Sequence, residues 1–284
     1  MSWTKSVVAL ATMVVVSGAA TGATGAAARA DPQHFTQPKT YTVTATVNQS
    51  EPILGHHLKI KGTVSPASPG ATVKLQLRYA GHATWKNVDT AILSGTSKYK
   101  FIEKVTTLRE RSYRVVKPAS ARVAAAHSPG AKVTVFHWRD LTSLAPATHE
   151  GMGEVDSTSI YGVLYQHSLV AYEEYQLPTA EPASIEYNLC TTARCPSEYR
   201  PHGISLHCKA LRATVGLADS SPYDSSARIT ILTNGTPRFD GTFGLTQSTE
   251  VTFDLTGVFR ITFGAVSTAD GIAAIGQPQV LCNY

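Results

Sequence analysis

The sequence is poor in charge, in cysteine and in long hydrophobic runs. Charged residues make up 16% of the 284 residues and hydrophobic residues 43%, which excludes a chain that is disordered throughout. Four cysteines are too few for a small scaffold held by disulfides, but they are enough for two disulfide bonds. After the N-terminus no apolar run reaches the roughly 18 residues of a transmembrane helix. With 21 Gly and 15 Pro, the composition favours a loop-rich β protein.

Residues 1–30 have the three parts of a secretory signal peptide. Lys5 precedes a largely apolar ten-residue segment, 7–16, and Ala28-Arg29-Ala30 supplies an A-x-A cleavage site. The apolar run is about half as long as a membrane-spanning helix. We therefore expect a secreted protein with no membrane span, whose cysteines can form disulfides.

Charge divides the remaining chain into two parts. Residues 31–137 contain fifteen Lys and Arg against five Asp and Glu, whereas residues 138–284 contain eight against fifteen, together with all four cysteines. This contrast predicts two domains, 31–137 and 138–284. The basic domain could attract an anionic partner, such as a cell-wall phosphate polymer or a membrane surface. Its charges alternate with apolar residues and form no dense basic run, so the sequence favours an ordinary solvated β surface.

Alternation of apolar and polar residues predicts antiparallel β-structure in both domains. In the first domain, short segments such as 41–47, 58–64 and 72–79 alternate with period two between Pro-Gly turns, which favours a small sandwich. Trp85 is expected in its core, because a buried indole supplies a large apolar area. The second domain is longer and suits a jelly roll. In it, Asn234-Gly235 predicts a type I′ hairpin, because both central residues need positive φ.

Both domains resemble known families. The segment GTVSPASPGATVKLQLRYAGHATWKNVDTAILSGTSKYKF resembles the Ig-like repeats of secreted actinobacterial proteins, which implies an Ig-like spacer or adhesion module. The segments SIEYNL, LRATVGLADSS, SARITILTNGTPRFDG, VTFDLTGVFRITF and QVLC resemble the NPCBM family of carbohydrate-binding modules. The two resemblances imply an all-β chain in which an Ig-like antiparallel β-sandwich precedes a galactose-binding-like β jelly roll. The second implies a non-catalytic module that binds glycans, although Tyr172 stands where the family has a His.

The four cysteines favour two disulfides. Cys190 and Cys195 lie five positions apart in one predicted loop, whereas Cys208 precedes a strand and Cys282 ends the last one. Of the three possible connectivities, we prefer Cys190–Cys195 with Cys208–Cys282. The long link would stabilise the fold by about 3–5 kcal/mol. A zinc site formed by Cys190, Cys195, His207 and Cys208 is the alternative, and disulfides are the commoner outcome in an exported chain.

Candidate binding residues cluster around the tyrosines of the acidic domain. Tyr165, Tyr172 and Tyr223 lie in or beside loop-like segments, where a ring could stack on a sugar; half-buried packing is the alternative for each. Asp219 and Asp224 flank Tyr223 and could bind sugar hydroxyls or a structural calcium ion.

No coherent catalytic motif accompanies these residues. His149-Glu150, for example, lacks the second His of a zinc-protease helix, because position 153 is Gly. We therefore expect a secreted protein that is not an enzyme, has no cofactor or nucleic-acid partner, and binds a polysaccharide. A surface protein that binds another protein is the alternative. A small hydrolase with a carboxylate pair is a weaker one.

Overall fold

The computed structural model describes residues 39–171, 182–189, 208–268 and 270–283. The predicted signal peptide, Tyr172, Cys190 and Cys195 lie outside these residues. Within them the chain forms 22 strands and one 3₁₀ helix, η1 (Leu141–Ser143). Nearly all strand pairs are antiparallel, so the prediction of an all-β chain with antiparallel sheets is confirmed. In this part of the chain, no helix has the length and apolar character needed to span a membrane.

The basic part of the chain contributes two main sheets. Its strands are β1 (Lys39–Thr40), β2 (Thr42–Val43), β3 (Thr46–Val47), β4 (His57–Ser65), β5 (Thr72–Tyr79), β6 (Lys86–Ile92), β7 (Lys98–Lys104), β8 (Arg111–Lys117), β9 (Val123–Ala124), β10 (Ala126–His127) and β11 (Ala131–Val133). In one sheet β4 lies between β2 and β3 on one side and β7 on the other. The other has the order β10-β8-β5-β6, with β11 also paired to β8. A short parallel pair joins β1 and β9.

Alternation places one face of each sheet in a shared core. In β4 the buried residues are Leu58, Ile60 and Val64, and the residues between them are mainly exposed. The largest side chains of this core include Phe101 and Tyr113, both at most 2% exposed. These strands therefore form because period-two alternation matches the pleat of a half-buried sheet.

Trp85 is not part of this core, so that prediction is wrong. Its indole is half-buried on the segment before β6, where the guanidinium carbons of Arg78 and Arg114 lie 4.6 and 4.3 Å from the ring centroid. Cation–π contacts with two arginines stabilise the indole at the surface. The core is filled instead by apolar side chains of the alternating strands.

The acidic part contributes two larger sheets. Its strands are β12 (His137–Asp140), β13 (Thr148–Glu150), β14 (Met152–Ile160), β15 (Val163–Ala171), β16 (Ala183–Asn188), β17 (Cys208–Leu217), β18 (Ser226–Thr233), β19 (Thr236–Gly244), β20 (Ser248–Asp254), β21 (Arg260–Thr268) and β22 (Ala273–Cys282). The six-stranded sheet has the order β14-β15-β22-β17-β20, with β12 paired to β22; the five-stranded sheet has the order β13-β16-β21-β18-β19. Side chains from both sheets form one hydrophobic core.

The predicted hairpin at Asn234-Gly235 is confirmed. Both residues have positive φ, 50° and 79°, and they join the antiparallel strands β18 and β19. The Asn234 carboxamide oxygen also accepts hydrogen bonds from the backbone N–H groups of Phe259 and Arg260. The turn is therefore fixed both by its own backbone and by the start of β21.

The two hydrophobic cores lie in one compact unit of the chain that begins at residue 38. Lys209 connects the two parts, because its Nζ atom lies 3.0 Å from Glu51 Oε2 and 4.0 Å from the ring centroid of Phe136. The division into domains at residues 30 and 137 stays a prediction.

Candidate functional site

The six-stranded sheet has an outer face that is turned away from the main core. Along β22, Ile275, Val280 and Cys282 belong to that core, whereas Gln279 does not. Strand β22 pairs first with β15, at residues 274 and 275, and then with β12, at residues 279–282. Where it changes partner, His167 and Gln277 both have positive φ, 51° and 43°. This exchange brings side chains from four strands, β12, β15, β17 and β22, together on the outer face.

A hydrogen-bonded group of side chains crosses this face, and we call it the polar row. Its members are Trp138, Asp140, His167, Arg212 and Gln279. Arg212 Nε and Nη2 donate to Gln279 Oε1 at 2.9 and 2.6 Å, and Gln279 Nε2 donates to Asp140 Oδ1 at 2.8 Å. His167 Nε2 lies 3.9 Å from Asp140 Oδ2, and Arg212 Cζ lies 4.3 Å from the ring centroid of Trp138. The hydrogen bonds hold Arg212, Gln279 and Asp140 in a defined arrangement before any ligand arrives.

The polar row remains accessible to solvent. Arg212 and His167 are exposed, and Trp138, Asp140 and Gln279 are half-buried. A guanidinium has five N–H groups, and Arg212 uses only part of this capacity on Gln279. The row therefore presents hydrogen-bond donors and acceptors beside the half-buried ring of Trp138, over which the Arg212 guanidinium lies.

Tyr165 lies on the same outer face and is half-buried there. A Cβ atom at Gly276 would come within 2.5 Å of Tyr165 Cγ, so the tyrosine ring rests directly on glycine backbone. Tyr165 packs against a small satellite cluster that contains Ile160 and Ala218. This half-buried packing is the alternative to sugar stacking that the sequence analysis gave for Tyr165. Among the described residues, no hydrogen bond or ion pair joins Tyr165 to Asp219, Tyr223 or Asp224.

The predicted binding residues Asp219, Tyr223 and Asp224 lie on the connection between β17 and β18. Asp219 is fixed at two points: its Oδ2 accepts from the Gly162 N–H at 2.9 Å, and its own N–H donates to the Ser159 carbonyl at 2.8 Å. Tyr223 is 86% exposed, and Asp224 is exposed beside it. Asp219 therefore fastens this connection to the tip of the β14–β15 hairpin. We call residues 159–164 and 218–225 together the loop end.

The loop end also exposes apolar residues that the sequence analysis did not select. Tyr161, Val163 and Leu164 are 62%, 50% and 60% exposed. The dipeptide Tyr161-Gly162, with positive φ at both residues, was the available signal for a tight turn carrying an exposed ring. The polar row had no comparable signal, because its members are spread from position 138 to position 279.

The disulfide Cys208–Cys282 joins the first residue of β17 to the last residue of β22. The two residues lie opposite each other in the strand ladder, with Cα atoms 4.0 Å apart. Cys208 is therefore not available as a thiolate ligand for zinc. Cys190 and Cys195 lie outside the described residues, so their predicted pairing stays a prediction.

Metal-ligating side chains do not cluster in the described ranges. Within them, no three or more His, Cys, Asp or Glu side chains form a group that could hold a metal ion. The hypothesis of a calcium ion at Asp219 and Asp224 gains no support from this arrangement.

Several of the described carboxylates of the acidic part have internal partners. Arg228 donates to both oxygens of Asp240 and lowers the pKa of that carboxyl, and the N–H of Thr256 lowers the pKa of Asp254. Tyr187 is fully buried and donates to Glu154 Oε1 at 2.6 Å, while burial raises the pKa of its own phenol. A glycosidase acid needs a raised pKa, and neither Asp240 nor Asp254 has one.

A surface concavity lies on the outside of the five-stranded sheet. It has a volume of about 320 Å³ and includes Glu186, Arg260 and Thr262 in its wall. Arg260 Nε is 3.1 Å from Glu186 Oε1, and Thr262 Oγ1 donates to Glu186 Oε2 at 3.2 Å. Both oxygens of Glu186 are therefore engaged, whereas the buried Nε atom of Arg260 makes no hydrogen bond.

No family model matches this sequence, and no curated protein matches it at a significant level.

Proposed function

We propose that the chain is a secreted, non-catalytic protein that binds a glycan on the outer face of its six-stranded sheet. The observation that carries this proposal is the polar row. It joins a tryptophan, an arginine, a glutamine, an aspartate and a histidine in one solvent-accessible arrangement. Sugars present hydroxyl groups that both donate and accept hydrogen bonds, and their C–H faces pack on aromatic rings.

The chemistry of the row fits these requirements. Arg212 and Gln279 provide donors, Asp140 provides acceptor oxygens, and Trp138 provides a half-buried apolar ring. Because Arg212, Gln279 and Asp140 already hold one another in place, these three side chains lose little entropy when a ligand binds. Such an arrangement supports recognition of hydroxyl-rich surfaces.

The remaining parts of the proposal rest on the sequence. The apolar segment 7–16 with its small-residue cleavage site supports secretion, and the Cys208–Cys282 disulfide is compatible with an extracellular location. The resemblance to Ig-like repeats and to the NPCBM family supports a spacer followed by a glycan-binding module. The sequence contains no coherent catalytic motif, which supports a protein that is not an enzyme.

The test is binding of the folded, oxidised chain to a panel of neutral plant and bacterial polysaccharides, followed by calorimetry on each polysaccharide bound. Arg212→Met retains the apolar stem and removes the guanidinium. We expect this variant to lower the affinity at least tenfold. Arg228→Met is the matched control, because Arg228 is also exposed and bonded to a neighbour, but on the other sheet. The affinity of the control for the same polysaccharide should remain within twofold of that of the unmodified chain.

Two results would count against glycan binding by the polar row. One is a folded chain that binds no polysaccharide in the panel. The other is glycan binding that Arg212→Met leaves unchanged and Tyr223→Ser abolishes, which would move the site to the loop end.

A second candidate function is binding of another protein through the loop end. The exposed apolar side chains Tyr161, Leu164 and Tyr223 favour it, because such groups concentrate at protein interfaces. A protein ligand should be lost on Tyr161→Ser with Tyr223→Ser and be indifferent to Arg212→Met. Cross-linking with each variant, and mass spectrometry of the captured partner, distinguishes the two candidates.

A further inference from the structure

Five lysines lie together on the solvent face of the sheet formed by β4 and β7, and we call this surface the lysine face. Its members are Lys59, Lys61, Lys98, Lys100 and Lys104, all exposed. In the strand ladder Lys61 lies opposite Lys100, and Lys104 lies opposite His57. Every second residue of a strand points to the same side of its sheet. Two paired strands that carry lysines at these positions therefore place the lysines side by side.

The lysine face carries no acid to neutralise it. Its other exposed positions on β4 and β7 are His57, Thr63, Ser65 and Ile102, and the neighbouring positions Thr42, Thr44, Thr46 and Asn48 are also uncharged. The carboxylate of β7, Glu103, lies opposite the core residue Leu58 and points inward, where burial raises its pKa. None of the five lysines takes part in an ion pair with another described residue.

Protection of a sheet edge explains only part of this arrangement. Lysines on an edge strand discourage aggregation, and β7 is an edge strand. Strand β4 is central, with partners on both sides, so Lys59 and Lys61 have no edge to protect. Like charges directly opposite each other also destabilise a sheet. The pair Lys61 and Lys100 therefore makes a small unfavourable contribution to stability, which an anion bound between or above the two ammonium groups would remove.

We infer that the lysine face binds a linear polyanion without nucleobases, such as a phosphate polymer or an acidic polysaccharide. Successive same-face positions on a strand are about 6.6 Å apart, so the face spans about 20 Å along the strands. That geometry fits a chain with anionic groups repeated every few ångströms. The face contains no arginine for bidentate recognition and no Phe, Tyr or Trp on which a base could stack; its single ring is the imidazole of His57 at one end.

The experiment titrates the full chain with inorganic polyphosphate and with polygalacturonate, between 50 and 200 mM salt. These two probes distinguish phosphate from carboxylate as the anionic group, and binding of either supports the inference. The variant Lys61→Gln with Lys100→Gln should reduce affinity about 10- to 100-fold at 50 mM salt, and should lower the slope of log K against log salt by about 1.4–1.8. Reversal of both charges, Lys61→Glu with Lys100→Glu, should abolish binding.

The matched control is Lys74→Gln with Lys86→Gln, which removes the same charge from exposed positions on β5 and β6 of the other sheet. It should alter the affinity no more than twofold. The melting temperature of the Lys61 and Lys100 variant should equal or exceed that of the unmodified chain, which separates lost binding from lost folding.

Several outcomes would overturn the inference. They are absence of salt-dependent binding to both polymers, equal loss of affinity in the two lysine pairs, and tighter binding to oligo(dT) or to phosphatidylglycerol vesicles than to either polymer. Self-association of the chain that Lys61→Gln with Lys100→Gln abolishes would identify a second copy as the occupant instead. Binding of neutral polysaccharide through Arg212 is independent of every one of these results.

Discussion

Removal of the Cys208–Cys282 disulfide should destabilise the protein by about 4.4 kcal/mol. The two cysteines close a loop of 74 residues, and this length gives that value when the chain-entropy relation is applied at 25 °C. The effect acts on the unfolded chain, because in the folded protein the ladder between β17 and β22 already holds the two residues opposite each other.

The assay is urea denaturation at pH 7 of four proteins: the unmodified chain, Cys208→Ala, Cys282→Ala and the double variant. Either single variant breaks the same bond, so all three should lose nearly equal free energy of unfolding. Thiol titration of each sample verifies that the remaining cysteines have not formed a new bond.

Two results would refute this reasoning. A loss below about 1 kcal/mol would show that loop closure contributes little. The second result is a double variant whose loss in free energy of unfolding equals the sum of the losses of the two single variants. It would show that each sulfur acts through packing, because Cys208 and Cys282 are both at most 1% exposed.

Two further predictions concern the surroundings of the polar row. Burial, with some help from Arg139, lowers the pKa of His137 below 6.5 despite its hydrogen bond to the Cys282 carbonyl. The unfolded chain therefore binds this proton more readily, so stability should be complete above about pH 6.5 and fall as the pH decreases. Between pH 8 and pH 5, the melting temperature of His137→Gln should fall less than that of the unmodified chain. An equal fall in the two proteins would contradict the prediction. Gly276→Ala should lower the free energy of unfolding by about 1–3 kcal/mol, because its methyl group would collide with the Tyr165 ring. If Tyr165→Ala abolishes that penalty, the collision is its cause; if the penalty persists, the glycine acts through its backbone.

Local features of the sequence were sufficient for much of the fold. Alternation in β4 and β5 predicted strands that the structure contains, and Asn234-Gly235 predicted the turn after β18. These features succeed because period-two burial and positive φ are imposed by neighbouring residues along the chain. The pairing of Cys208 with Cys282 was also predicted, since both cysteines adjoin strands. The prediction that Trp85 lies in the core failed because a large apolar residue can be covered by arginines at the surface as well as by a core.

The candidate sites depended on tertiary structure. Asp219, Tyr223 and Asp224 share one connection because they are neighbours in sequence. The polar row unites residues up to 141 positions apart, from Trp138 to Gln279, and no local pattern announces it. It forms where β22 changes its partner from β15 to β12, which only strand pairing can determine.

The lysines of β4 and β7 show the same division most clearly. By itself the sequence determined that Lys59, Lys61, Lys98 and Lys100 alternate with apolar residues and therefore face solvent. Their alternation was the reason to interpret the basic part as an ordinary solvated surface. Only the register between β4 and β7 decided that Lys61 lies opposite Lys100, because side-chain period fixes the face of a strand and long-range pairing fixes its neighbours.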